Sequence, residues 1–274
     1  MAQKTNQISN GVNEKFNLNI GGRELTVEVR NLAENSNGNC LLRYGDTVVF
    51  STAVMSKQEV GDKDFFPLTV EYEERYYAAG KILGSRFIRR ESRPSDEAVL
   101  TARAIDRAIR PRFPKKLKRE VQVVVTCLCW DGQNDPDFMG LIATSVSLAI
   151  SDIPWSGPLA ALRVGRVNGE FILNPTYEER GKADADLFFS AMEENGELLI
   201  NMIEMEGTEI EESVILEAYK FIKPHFEKLI DFQKEIARQV GKKKQILVER
   251  PPEQELEREI KEFLGNKLEM ALYQ

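Results

Sequence analysis

The side chains best suited to bind a ligand are the arginines and lysines of one segment. Residues 75 to 119 contain fourteen Lys or Arg and four Asp or Glu, a formal charge of +10. The whole chain carries −7, so the remainder carries −17. Clustered cationic side chains bind phosphates by Coulomb attraction and counterion release. The segment therefore predicts a polyanionic ligand, and the open alternative is a solvated basic face that pairs with acids in an oligomer.

Three of these arginines are predicted to share one face of a helix. Ser95 is a suitable N-cap, two carboxylates follow it, and Pro111 ends the helical pattern. Arg103, Arg107 and Arg110 are spaced by four and three residues, which places their guanidinium groups side by side. We expect them to contact phosphate groups, although cations near a helix C-terminus also stabilise the helix dipole.

Composition excludes several classes of protein and of site. Apolar residues make up 42% and charged residues 30% of the chain, which argues against a disordered polymer and against a membrane protein. No export signal or membrane span is visible, so we expect a cytoplasmic protein without a membrane partner. His225 is the only histidine, which excludes most histidine-dependent triads and metal sites. Cys40, Cys127 and Cys129 are expected to be reduced thiols, without a second pair of metal ligands.

Turn residues and apolar periodicity predict the elements that position these side chains. Four two-residue turns between strand-like runs predict β-hairpins: Gly21-Gly22, Gly45-Asp46, Asn168-Gly169 and Asn195-Gly196. An apolar run at 121–130 predicts a buried strand, and small apolar residues at 138–151 predict a buried helix. Because strands and helices do not alternate regularly, the predicted class is α+β with mixed sheets and packed helices.

The C-terminal part is predicted to be helical. A long helix runs from about residue 209 to 240, and Pro224 should bend or divide it. Residues 241–252 predict a linker, and residues 253–272 an amphipathic helix that cannot bury its own apolar stripe. We therefore expect a flexible N-terminus at 1–12, a core domain at 13–240 and the truncated beginning of an all-α domain at 253–274.

One long segment carries a resemblance to a known family. Residues 64 to 113 read DFFPLTVEYEERYYAAGKILGSRFIRRESRPSDEAVLTARAIDRAIRPRFP. This segment closely resembles the first RNase PH domain of bacterial polynucleotide phosphorylases, with its FFPLTV, YAAG and RRE-RPS motifs and its IDR-IRP-FP helix. Weaker, colinear similarity continues through NDPDFMGLIATSVSLAISDIPWSGPLAALRVG and INMIEMEGTEIEESVILEAYKFI. The resemblance covers nearly the whole chain.

The resemblance implies both a fold and an activity. The fold is an RNase PH-like core, also described as ribosomal protein S5 domain 2-like, followed by an α-helical segment. The activity is that of a homotrimeric ring that degrades single-stranded RNA from its 3′ end. Inorganic phosphate is the nucleophile, nucleoside diphosphates are the products, and Mg²⁺ assists. This chain would hold the first of two cores, and the sequence does not define partners in a larger RNA-degradation assembly.

The family also implies an RNA-binding loop at the pore entrance. The matching residues are Phe87, Arg89, Arg90 and Arg93, with Ile88 in place of a second aromatic. Guanidinium groups bind phosphates bidentately, and an aromatic face stacks on any base, so the set suits sequence-independent contact with RNA. The loop is one residue longer than the family spacing, which leaves the pore geometry open.

Two stretches indicate that this core is not catalytic. Where the second core of the family has a serine-rich phosphate-binding turn, this chain has Asn134-Asp135-Pro136-Asp137, whose carboxylates would repel phosphate. Where the second core has paired aspartates, this chain has Glu204 and Glu206, which we interpret as an exposed strand edge rather than a Mg²⁺ site. We therefore assign no catalytic or metal-binding residue.

Two other functions stay open from the sequence. One is a stand-alone RNA-binding ring subunit without activity, and the other is a self-sufficient RNase PH-like nuclease. If the chain is the noncatalytic core of a phosphorolytic exoribonuclease, a second core with serine-rich and aspartate motifs must exist elsewhere in the protein. The other two functions do not require a second core.

Overall fold

The first sheet of the protein has six strands and is mixed. The computed structural model describes residues 13–59, 65–82, 84, 93–246 and 254–273. The strands are β1 (Glu14–Ile20), β2 (Arg23–Val29), β3 (Gly38–Tyr44), β4 (Thr47–Glu59), β5 (Leu68–Glu74) and β6 (Arg119–Cys129). Their order is β1-β2-β3-β4-β6-β5, and only the β5–β6 pair is parallel. The predicted hairpins at residues 21–22 and 45–46 and the predicted buried strand are confirmed.

The second sheet has four antiparallel strands. They are β7 (Leu159–Val167), β8 (Glu170–Leu173), β9 (Ala185–Glu194) and β10 (Glu197–Gly207), in the order β10-β9-β7-β8. Its two hairpins turn at the predicted Asn-Gly pairs. Asn168 and Gly169 have φ values of 52° and 83°, the left-handed conformation that two-residue hairpin turns require.

Six α-helices accompany the sheets in the described part of the chain. They are α1 (Asp96–Ile109), α2 (Pro136–Ile150), α3 (Tyr177–Arg180), α4 (Glu212–Val240), α5 (Gln254–Leu264) and α6 (Lys267–Tyr273). Two short 3₁₀ helices lie at Tyr76–Ala79 and Arg110–Arg112. The second of these contains Pro111, so the α-helical part of α1 ends just before the predicted stop. None of the described helices is long and apolar enough to cross a membrane.

Two helices lie between the sheets. Helix α2 packs against β3 and β4 of the first sheet and against β7 of the second, and α1 packs against β5 and β10. A Cβ atom at Gly38 of β3 would come within 2.2 Å of the Ser147 carbonyl oxygen, so a side chain there would force α2 away from the sheet. The predicted α+β class with mixed sheets and packed helices is confirmed.

Helix α4 covers the second sheet and α2 without a division. It continues through Pro224 as one helix of 29 residues, so of the two predicted effects of the proline, a bend or a division, the division does not occur. The apolar face of α4 explains this, because Ile222 and Phe226 are fully buried on either side of Pro224. The burial of this face thus stabilises α4 by more than the missing hydrogen bond at the proline destabilises it.

The segment after α4 lies against the core. The Lys242 and Gln245 backbone N–H groups donate to the Ile150 and Asp152 carbonyl oxygens at 2.9 and 2.8 Å. The Lys244 ammonium donates to the Leu148 carbonyl at the end of α2, at 2.6 Å. Half of the predicted linker is therefore packed on the core, and residues 247–253 lie outside the described ranges. The predicted boundaries at 13–240 and 253–274 stay predictions.

The last predicted helix is two helices. α5 and α6 are separated at Gly265, whose φ of 43° is a left-handed conformation typical of a helix end. The apolar side chains Leu256, Ile260, Phe263 and Leu268 are exposed. The amphipathic pattern was thus predicted correctly, but the break was not.

Candidate nucleic-acid interface

Helix α1 is fixed at its start by the predicted cap. The Ser95 Oγ accepts a hydrogen bond from the Ala98 N–H at 3.0 Å and donates one to the Glu74 carboxylate of β5 at 2.9 Å. Asp96 and Glu97 in the first turn stabilise the positive end of the helix dipole. The cap therefore sets both the first turn of α1 and its position beside β5.

A groove between β5 and α1 brings three of the predicted RNA-binding residues together. The cavity has a volume of about 1060 Å³, and Arg93, Arg103 and Arg110 line it. β5 is at the edge of its sheet, because within the described residues it pairs only with β6. The groove therefore lies at an edge of the sheet.

Arg93 and Arg103 are the cations of this groove that remain available to a ligand. Both are exposed, and neither makes an ion pair or hydrogen bond with the residues that the structure describes. Arg103 lies at the middle of α1, so its guanidinium group is held on a rigid element. The two side chains can therefore bind phosphate without first breaking a salt bridge.

Arg110 is engaged within the protein. It forms two hydrogen bonds with the Asp106 carboxylate, at 2.7 and 3.0 Å. It also donates to the carbonyl oxygens of Phe66 and Leu68, at 3.1 and 3.2 Å. These bonds tie the start of β5 to the end of α1, so Arg110 shapes the groove even though its role in RNA contact stays a prediction.

Arg107 leaves the groove and joins α1 to the second sheet. Its guanidinium group lies 2.8 Å from the Glu204 carboxylate of β10. The spacing of the three arginines predicted a common face, but Arg107 and Arg110 bind different partners. Only Arg103 of the three has none in the described part of the chain.

The loop residues with the strongest family signal cannot be placed. Phe87, Arg89 and Arg90 lie outside the described residues, and so do Arg86 and Ile88. Their contact with RNA stays a prediction.

A second cavity, at the N-terminus of α2, contains a network of buried charges. Its volume is about 830 Å³, and its lining includes Asp135, Asp137, Asp186, Arg163 and Arg180. The Asp135 carboxylate lies 2.6 Å from Arg180 and 3.1 Å from Arg163. Asp186 lies 2.8 and 3.0 Å from the same two arginines. Both guanidinium groups are therefore neutralised by carboxylates of the protein itself.

The surroundings of Asp137, the third carboxylate of this network, disfavour its ionised form. Burial raises the pKa of Asp137, and the neighbouring Asp135 raises it further. Arg163 lies 3.8 Å from Asp137 and lowers the pKa only in part, since it also pairs with Asp135 and Asp186. Asp135 and Asp186 already balance the two guanidinium groups, and the lining adds further carboxylates, among them Glu97 and Glu206. The cavity is therefore unsuited to a phosphate anion.

The sequence patterns did not predict this network. A signal was present, because Arg163 interrupts the apolar run of β7, and a charged residue in a buried strand needs partners. The partners themselves, Asp135 and Asp186, belong to other elements that the sequence did not connect to β7.

The strand that would correspond to a metal site does not fit Mg²⁺. Glu204 is paired with Arg107, and Glu206 is exposed beside it. Within the described ranges, no group of three or more His, Cys, Asp or Glu side chains is arranged to hold a metal ion. No step of a reaction is therefore assigned to a metal at this strand.

Comparison with known sequences shows the family. Residues 21–154 match the model described as 3′ exoribonuclease family, domain 1, and residues 157–221 match domain 2 of that family. The polyribonucleotide nucleotidyltransferase of Geobacillus kaustophilus is 47% identical over 257 residues, which are 94% of this chain and 35% of that protein. That of Thermus thermophilus is 43% identical over 260 residues, 95% of this chain and 35% of that protein. The chain spans about a third of the length of these curated relatives.

A solved structure shows the same fold. Rice Rrp46 superimposes with a TM-score of 0.64 at 11% identity, covering 85% of this chain and 99% of that one. The predicted RNase PH-like fold is thus confirmed by structure, and the predicted family by sequence. The chain belongs to the 3′ exoribonuclease family and is similar, over nearly all of its length, to the N-terminal segment of polyribonucleotide nucleotidyltransferases.

Proposed function

We propose that this chain is the RNA-guiding, noncatalytic core of a polyribonucleotide nucleotidyltransferase. The complete protein degrades single-stranded RNA from the 3′ end with inorganic phosphate and releases nucleoside diphosphates. The observation that carries the proposal is the groove beside α1, where Arg93 and Arg103 are exposed without protein partners in the described part of the chain. Guanidinium groups held in this way bind the phosphates of RNA without reading its bases.

The phosphorolytic chemistry belongs to another part of the protein. The cavity at the start of α2 supports this, because Asp135 already occupies the two guanidinium groups that an anion would need. A phosphate there would meet three carboxylates and a proline that lacks an N–H donor. Inorganic phosphate and Mg²⁺ are therefore assigned to a second core.

The assembly and cellular setting follow from the same proposal. A homotrimeric ring would place several such grooves around one RNA path, as a processive exonuclease in RNA processing and mRNA degradation requires. Cys40 and Cys127 are buried free thiols, which suits the reducing cytoplasm. The stand-alone ring subunit is the alternative, and it would hold RNA through the same groove.

The proposal is tested by RNA binding of the 274-residue chain. We expect Arg93→Gln with Arg103→Gln to weaken binding of single-stranded RNA about equally for all sequences, and to lower the salt slope by roughly 1 to 2. Arg43→Gln with Arg258→Gln removes the same charge at exposed sites outside the groove and serves as the control. Equal affinity of the groove variant and the control would overturn the assignment of the groove.

A further inference from the structure

The structure divides the basic segment into two separate surfaces. Helix α1 has 14 residues, so it is about 20 Å long. Arg93 precedes α1 and Arg103 lies at its middle, whereas Lys115, Lys116 and Lys118 follow its C-terminal end. The groove reaches Arg110, just after the last residue of α1, and none of these three lysines lines it.

A part of the chain that is distant in sequence adds cations near the lysines that follow α1. The Arg119 guanidinium group donates to the Gln245 side-chain oxygen at 2.6 Å and to the Ser56 carbonyl oxygen at 2.5 Å. These two bonds bring together the end of β4, the start of β6 and the segment that follows α4. Lys57, Lys115–Lys118 and Lys242–Lys244 consequently meet at one end of the core.

Four of these lysines are available for contact. Lys57, Lys115, Lys116 and Lys243 are exposed and make no ion pair or hydrogen bond with any residue that the structure describes. The Lys244 ammonium, in contrast, is bound to carbonyl oxygens at the end of α2. These four ammonium groups outnumber the exposed carboxylates of Glu59 and Glu120 at the same strand ends, so they form a net cationic surface, here called the lysine surface.

We propose that the lysine surface is a second contact for the sugar–phosphate backbone of single-stranded RNA. This inference rests on the proposed function and extends it. The three segments that form the surface contain no aromatic residue, so the contact has no base stacking and depends on charge alone. An RNA long enough to follow α1 would contact the groove and the lysine surface together, whereas a few nucleotides would occupy one of them.

The test compares two triple variants of the full chain. Lys115→Gln, Lys116→Gln and Lys243→Gln neutralise the lysine surface. Lys220→Gln, Lys223→Gln and Lys228→Gln remove the same charge from the exposed side of α4. Each released phosphate contact changes the salt slope by ~0.7 for a single strand, so the first variant should lower it by about 2. We expect roughly tenfold weaker binding of a 30-nucleotide RNA in low salt and little change for a four-nucleotide RNA.

The outcomes separate this inference from the proposed function. If both variants weaken binding equally, or neither does while the unmodified chain binds RNA, the lysine surface is not an RNA contact and the groove assignment stands. Competition by polyglutamate as strong as by RNA of equal charge would make it a surface for acidic protein and would also overturn the inference. If the unmodified chain binds no RNA, both proposals fail.

Discussion

Arg103 and Arg110 show how identical residues on one helix take different roles. Arg110 makes its hydrogen bonds with Asp106 and with two carbonyl oxygens of the β5 region, so its guanidinium group is satisfied by the protein. Arg103 is exposed in the same groove without such partners in the described part of the chain. The residue type favours phosphate contact at both positions, but the surroundings decide which cation is free to make it.

Substitution of Arg110 should therefore affect stability. Arg110→Met removes the hydrogen bonds that the guanidinium group donates to the Asp106 carboxylate and to the Phe66 and Leu68 carbonyl oxygens, which should cost about 1–3 kcal/mol of unfolding free energy. Arg103→Met, on the same helix, should cost less than ~0.5 kcal/mol. Urea unfolding monitored by circular dichroism measures both, and equal losses would refute a structural role for Arg110.

Asp137 gives the protein a dependence of stability on pH. Its pKa in the folded state is raised above the ordinary value of 3.8, so the folded state binds a proton more tightly than the unfolded chain. The contribution of Asp137 to stability is greatest below pH 3.8 and is lost as the pH rises through the folded pKa. Asp137→Asn should thus stabilise the protein more at pH 8 than at pH 5, by ~1 kcal/mol or more.

The control for this prediction is a carboxylate outside the network. Asp46 is largely exposed, and Arg43 lies 3.8 Å from it. Asp46→Asn should change the stability by a similar small amount at both pH values. Thermal unfolding at pH 5 and pH 8 decides the matter, and an Asp137→Asn effect that is the same at both would exclude a raised pKa.

At the scale of elements, α4 keeps a proline inside a continuous helix. Pro224 is exposed, so it adds little to the core, and it removes one backbone hydrogen bond from the middle of the helix. Buried residues on the opposite face hold the helix together across this position. Replacement of the proline should therefore raise the free energy of unfolding.

Replacement of this proline tests how much stability packing supplies. Pro224→Ala should raise the free energy of unfolding by about 1–3 kcal/mol, since alanine restores the N–H donor and has the higher helix propensity. Lys223→Ala, at the neighbouring exposed position, should change it by less than ~0.5 kcal/mol. A Pro224→Ala variant less stable than the original would show that α4 requires the proline, contrary to this account.

The elements that were predictable are those with local signals. The Ser95 cap determines where α1 begins, and the Asn168-Gly169 turn determines one hairpin, because each acts within a few residues. The pairing of Arg163 with Asp135 and Asp186 depends on how α2 and β9 pack around β7, which no local pattern encodes. The same holds for the contact between Arg119 and Gln245 that assembles the lysine surface. Family resemblance predicted the fold and the candidate loop, but not which α1 arginine would remain free.

At the scale of the whole molecule, the exposed cations and the buried carboxylates lie in different regions. The formal charge of −7 hides exposed cations along and beyond α1 and a negative cavity at the start of α2. Under the proposed function, the first region attracts RNA and the second repels it, so the chain would hold a strand without binding the phosphate that cleaves it.

RNA binding and phosphorolysis by this chain can be measured in one experiment. The purified 274-residue chain is incubated with single-stranded RNA, Mg²⁺ and inorganic phosphate, while bound RNA and released nucleoside diphosphates are measured in the same samples. We predict RNA binding that weakens steeply with salt and no phosphate-dependent release of nucleoside diphosphates. Release that requires phosphate and is lost in Asp135→Asn or Glu204→Gln would contradict the noncatalytic assignment, and absence of RNA binding in low salt would contradict the RNA-guiding one.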